Sequence, residues 1–199
     1  MAAARGKGAI AFLEDLKRLG QITVVTDRAG SSIKLENAFG AALREFEESC
    51  ESGHKIIFIG NGGSAAIASH MSIDYWKAGG LTAMAFNDSS LLTCLGNDLG
   101  YERVFSEPIR QFAKKGDCLV AISSGGRSPN ILRGAEAGRL SGCRVLTLSG
   151  FLPDNPLRRL GDLNFYVPSQ SYGIVEVSHL SLLHSILDER VQSRNADSA

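Results

Sequence analysis

Apolar and polar positions alternate in period along the chain, and the switches in period mark its elements. Residues 8–26 carry Ile10, Leu13, Leu16 and Leu19 at helical spacing, and residues 31–52 repeat the pattern with Ile33, Leu35, Phe39, Ala42, Leu43 and Phe46. Asp27-Arg28-Ala29-Gly30 breaks the two. The second helix can cover a sheet; the first has no obvious face to cover and is expected to pack on a partner subunit. Beyond residue 53 the pattern changes. Short β-rich runs at 56–59, 81–86, 118–123, 144–150 and 163–168 read as buried strands. Helical stretches separate them, at 64–77, 91–98, 102–114 and 129–141, and a last one follows at 174–193. Ser128 is the expected N-cap of the 129–141 helix, with Pro129 at its first position.

Strands alternating with helices predict an α/β three-layer sandwich around a five-stranded parallel sheet, preceded by two N-terminal helices. One domain spans 1–199: a helical pair (1–52), an α/β core (53–194) and a frayed polar tail (195–199).

Two turns then attract attention. Ile56-Ile57-Phe58-Ile59 runs into Gly60-Asn61-Gly62-Gly63, and Ser64 opens a helix of small residues. Such a turn lets a ligand approach bare backbone and helix-end N–H groups. A plain strand-to-helix turn is about as common a meaning for this loop taken alone. It is neither a dinucleotide fingerprint nor a P-loop, because the required spacings are missing. The second turn shifts the balance. Ser123-Ser124-Gly125-Gly126-Arg127-Ser128 also joins a strand to a helix, and its hydroxyls and glycines suit a phosphate. Two such loops point to the carboxyl edge of the sheet, where ligands bind in open α/β folds. On the first helix His70 and Asp74 lie four residues apart, on one face at about 40°.

Composition narrows the classes. The 199 residues are 44% hydrophobic, enough for a full core, and the formal net charge is zero, which disfavours nucleic acid as a partner. No apolar run reaches the roughly 18 residues that span a bilayer. Glu14 and Asp15 interrupt the short apolar stretch near the start, against a signal peptide. Cys50, Cys94, Cys118 and Cys143 lack paired spacing and read as buried free thiols in a reducing cytoplasm.

The segments GNGGSAAIASH, GND at 96–98, SSGGRSPN and VEVSHLSLLH, in this order, resemble the sugar isomerase (SIS) domain, and within that superfamily the phosphoheptose isomerases. The resemblance covers almost the whole chain. It implies a flavodoxin-like fold, a homotetramer with active sites between subunits, and interconversion of sedoheptulose 7-phosphate and a heptose 7-phosphate. By the same resemblance Ser123, Ser124 and Ser128 hold the phosphate, while Gly125 stands where the family has another serine. Asn61 and Ser64, with Gly62 and Gly63 of the same loop, meet the sugar, and Asp98 matches a substrate-site aspartate. Asp74 and His184 take the places of the catalytic glutamate and histidine. Glu176 replaces a glutamine. Some members bind zinc, which implies His70, Asp74, Glu176 and His184 as its ligands here; no organic cofactor is implied.

These departures have physical weight. Asp74 is one methylene shorter than the family's base, and a misplacement near 1 Å can cost about a hundredfold in rate. Two imidazoles and two carboxylates form a set that a divalent metal accepts. Glu176 and His184 stand about 12 Å apart along a regular helix, so both reach one site only if that helix bends. His179 is the rival imidazole on the same helix. The alternatives are a non-catalytic SIS module that binds sugar phosphates or bridges proteins, and an isomerase of a different long-chain ketose phosphate.

Overall fold

The computed structural model describes residues 7–197. Among them a seven-stranded sheet runs in the order β2-β1-β7-β6-β5-β3-β4. The five expected strands are there: β3 (Ile56–Gly60), β4 (Ala83–Ala85), β5 (Cys118–Ser123), β6 (Arg144–Gly150) and β7 (Leu163–Val167), all parallel. Two more were not foreseen. β1 (Val24–Asp27) lies antiparallel on β7, and β2 (Ser32–Ile33) folds back on β1. The sheet is therefore mixed, not the five-stranded parallel sheet expected.

The correction has a local cause. The helix expected over 8–26 ends early, as α1 (Lys7–Lys17) and the single turn α2 (Leu19–Ile22). Val24, Val25 and Thr26 are β-branched and stiff, which suits a pleated strand better than a helix. Gly30 takes a left-handed φ of +88° and turns the hairpin. Asn164 on β7 then donates to the carbonyls of Thr26 and Asp27, both at 3.3 Å. The next helix, α3, accordingly starts at Leu35 and runs to Glu51, not from residue 31.

The remaining helices are α4 (Gly63–Lys77), α5 (Ser89–Leu99), α6 (Ser106–Phe112), α7 (Pro129–Leu140) and α8 (Tyr172–Asp197). Successive strand residues point to opposite faces, and each face has its own core. Phe58, Val120, Leu146 and Phe165 pack with Phe46 of α3, Met71 and Tyr75 of α4 and Leu183 of α8. Ile57, Leu119 and Val145 pack with Ile109 of α6 and with Ile131 and Ala135 of α7. Each large buried side chain here contributes roughly 1.5–3 kcal/mol. The Tyr75 hydroxyl donates to the Leu183 carbonyl at 3.1 Å, tying α4 to α8 within the core. Burial pushes that phenol far above its ordinary pKa, so it stays a donor.

α1 is not wholly without a partner in its own chain. Phe12 lies against Gly173 at the start of α8, while Ile10 and Leu13 remain more than half exposed. Cys118 and Cys143 are buried, whereas Cys50 is half-buried and Cys94 exposed, which corrects the reading of all four as buried; all are free thiols. The expected tail is helical as far as Asp197, and residues 1–6 and 198–199 lie outside the described residues. No helix of the described residues is long and apolar enough to cross a membrane.

Candidate active site

The loops that follow β3, β5 and β6 meet at the carboxyl edge of the sheet, and the first turns of α8 close the fourth side. Between them lies a cleft of about 640 Å³. Asn61, Gly62, Gly63 and Ser64 line one wall and Ser123, Ser124 and Ser128 the next. The two walls are clasped together. Asn61 Nδ2 donates to Asn130 Oδ1 at 2.9 Å, and Asn130 Nδ2 returns a bond to Asn61 Oδ1 at 2.8 Å. The Tyr101 hydroxyl adds a third bond to Asn61 Oδ1, at 3.2 Å. A side-chain amide has two N–H donors, so Asn61 keeps one for a ligand.

The serine loop is shaped by what lies behind it. Ser123 Oγ accepts from the Gly126 amide at 3.2 Å and stands 3.4 Å from Ser128 Oγ. Ser128 starts α7 but makes no side-chain capping bond, which leaves its hydroxyl for the cleft. Gly126 has φ +61°, and a Cβ there would fall 2.0 Å from Asn155 Oδ1. Asn155 is fully buried and donates to Ser149 Oγ, to Gly150 O and to Leu152 O. Phe151, which lines the cleft, holds φ +60° without being glycine. Such a backbone costs on the order of 1–3 kcal/mol and persists where its surroundings impose it. Here the Tyr166 hydroxyl bonds the Phe151 carbonyl at 2.8 Å, and Tyr172 packs edge-on against the ring at 4.7 Å.

His179, the rival imidazole, belongs to this support. It is fully buried, with Nε2 3.1 Å from the Ser149 carbonyl. A carbonyl only accepts, so Nε2 carries the hydrogen. Burial lowers the His179 pKa to about 4, which keeps the ring neutral.

A second group of polar residues lies farther along the same two helices. α4 and α8 run side by side, with Gly63 beside Glu176 at one end and the His70 ring 5.4 Å from the His184 ring beyond it. Seven residues from Gly63 to His70 amount to about 10 Å of helix rise. His70 Nε2 lies 3.1 Å from Asp74 Oδ2. Ligand atoms of His70, Asp74 and His184 all fall within 4.8 Å of one another, so these residues can hold a metal ion together. Two imidazoles and one carboxylate fit a zinc site with an open coordination position. Glu176, the fourth ligand expected from sequence, is not of this group. Its carboxylate lies against Gly63 and lines the serine cleft instead. The four-residue set is here a three-residue set, because α8 runs as one continuous helix over Tyr172–Asp197 and separates Glu176 from His184 by two turns.

Asp98 stands apart from both groups. It is exposed near the end of α5, where it accepts from Asn97 Nδ2 at 2.8 Å. Residues assigned no role from sequence line or brace the cleft: Asn130, Tyr101, Phe151 and Tyr172, and Arg127 of the serine loop itself. Two of them had a signal: Arg127 as a member of the serine loop, and Asn130 as a polar residue one step inside the helix behind it. The others come to the cleft through tertiary packing.

Fold and cleft define a class: a mainly parallel α/β protein with a hydroxyl-lined ligand cleft at the carboxyl edge of its sheet. The chain belongs to the SIS domain family, whose profile matches residues 28–150. It is 33% identical over 161 residues to the phosphoheptose isomerase of Citrifermentans bemidjiense, covering 78% of this chain and 83% of that one. The Helicobacter hepaticus protein of the same name is 36% identical over 147 residues, with 71% and 74% covered. Among solved structures, phosphoheptose isomerase from Neisseria gonorrhoeae superposes with a TM-score of 0.80 at 27% identity, over 94% of this chain and 98% of that chain.

Proposed function

We propose that this chain is an aldose–ketose isomerase that converts sedoheptulose 7-phosphate to a heptose 7-phosphate, working as a single SIS domain. One observation carries the reading: a serine-lined cleft and an imidazole–carboxylate cluster share the α4–α8 helix pair, in a chain related to phosphoheptose isomerases. Ser123, Ser124 and Ser128 take the phosphate, and Asn61 and Ser64 take sugar hydroxyls. Asp74 removes the proton from the carbon next to the carbonyl and returns it to the neighbouring carbon, by way of an enediol. His184 supplies and withdraws the proton at the oxygens. Carboxylate and imidazole are side chains that serve as general base and general acid in such proton transfers. A zinc ion held by His70, Asp74 and His184 would polarise the carbonyl oxygen. Asp98, exposed on α5, takes its substrate role only if a neighbouring subunit or a loop movement brings it to the cleft.

The assembly proposed is a homotetramer. Ile10 and Leu13 on α1, and Ile73 and Trp76 on α4, are half exposed or more, an apolar surface that a neighbouring copy would cover. The free thiols suit a reducing compartment, the cytoplasm.

Proton exchange tests the function. Incubated in deuterated water with the protein, sedoheptulose 7-phosphate is expected to gain deuterium at C1 while the aldose accumulates. Retention of both C1 protons at high protein concentration would leave a binding module as the better reading.

A further inference from the structure

Phosphate binding leaves one charged group of the cleft unexplained. Glu176 sits half-buried in the second turn of α8 and lines the cleft with Ser64, Ser123 and Ser124. Its carboxylate lies flat on the Cα of Gly63: a Cβ there would stand 2.5 Å from one oxygen and 2.6 Å from the other. Among the described residues none donates a hydrogen bond to that carboxylate or pairs with it. Arg127, which also lines the cleft, turns to Asp154 at 3.7 Å. Gly63 opens the 15-residue helix α4, so the carboxylate occupies a position that also favours negative charge.

We infer that Glu176 is a specificity-determining residue: it reserves the α4 end of the cleft for the uncharged polyol end of a substrate with a single anionic group. The inference rests on the sugar-phosphate reading above. A carboxylate offers acceptors only, so its natural partners are hydroxyl donors of a sugar. A second phosphate or a carboxylate on the ligand would meet a fixed like charge in a partly water-excluded cleft, where repulsion is stronger than in water. Glutamine at this position would keep the shape and remove the repulsion. Glu176 thus discriminates by penalising the wrong ligand more than by gripping the right one.

The test is calorimetric binding of two probes, glucitol 6-phosphate and 6-phosphogluconate, which differ by a carboxylate at the far end from the phosphate. Wild type is expected to bind glucitol 6-phosphate at least about tenfold more tightly than 6-phosphogluconate, and Glu176→Gln to erase most of that preference by tightening the second ligand. Glutamine is nearly isosteric, and an unchanged melting temperature checks that the variant is folded. An equal preference in wild type and Glu176→Gln overturns the inference. Ser124→Ala in the same titrations separates it from the reading beneath it. Weaker binding of both probes upholds the serine cradle whatever Glu176 does. Unaltered binding removes the cradle, and the inference with it, because the phosphate would then have another seat.

Discussion

The serine cleft and the His70–Asp74–His184 cluster share two helices but are built in opposite ways. In the cleft, Ser123 and Ser124 are buried, Asn130 is buried and doubly bonded to Asn61, and Asn155 and His179 stand behind the loops. In the cluster, the His70 side chain is 53% exposed and that of Asp74 31%, and among the described residues neither side chain has a hydrogen bond or ion pair beyond their mutual contact. The binding end is preorganised by the core of a single chain. The cluster end is open to solvent. In the isomerase proposed here, the rigid cleft would fix the phosphate and the open cluster would carry the proton, so that orientation is set where fixed geometry matters most.

The sharpest way to break this contrast is to damage the open end alone. His184→Asn should lower kcat by on the order of 10²–10⁴-fold, the range of a lost acid–base group, while binding of glucitol 6-phosphate changes little. Loss of binding as large as the loss of rate would show that the two ends are not separable. Chelation probes the same end. Removing a divalent ion should reduce activity and lower the melting temperature, and zinc should restore both. A metal-free sample with full activity would leave Asp74 and His184 as a plain acid–base pair.

Acid tests the buried end. His179 has a folded pKa of about 4, below the ordinary value of 6.5. The unfolded chain therefore binds more protons between these values, so stability is fully present above about 6.5 and is lost as pH falls towards 4. The shift amounts to roughly 3 kcal/mol at most. Denaturant titrations from pH 7 to 4 should show this loss, and His179→Gln should flatten it. The smallest effect is expected at the cradle itself. Ser124→Ala should raise KM about tenfold and change kcat less, since it removes binding common to ground and transition states. Equal kinetics with phosphorylated and unphosphorylated sugar would refute the cradle.

Much of this was legible along the chain because it is local. Ile56–Ile59 and Cys118–Ile122 are uninterrupted apolar runs, short and rich in β-branched residues, which suits strands buried on both faces. Gly62 and Gly126 mark the two turns through their positive φ of 53° and 61°. His70 and Asp74 share a helix face by arithmetic. The β1–β2 hairpin was hidden because Val24–Asp27 is short and follows a helical stripe, and its stability comes from pairing with β7, more than a hundred residues away. Asn164, which anchors it, gives no local sign of that role.

Sequence alone thus determined the five parallel strands, the two glycine-bearing turns after β3 and β5 and the shared helix face of His70 and Asp74, since spacing and turn chemistry act over a few residues. Tertiary structure alone decided which helix faces meet. It placed Glu176 on Gly63 and away from His184, assigned His179 to the core, and brought Asn130, Tyr101 and Phe151 to the cleft. The physical reason is that a side chain's partner across two helices depends on their relative depth and rotation, which the whole core sets and no local pattern encodes.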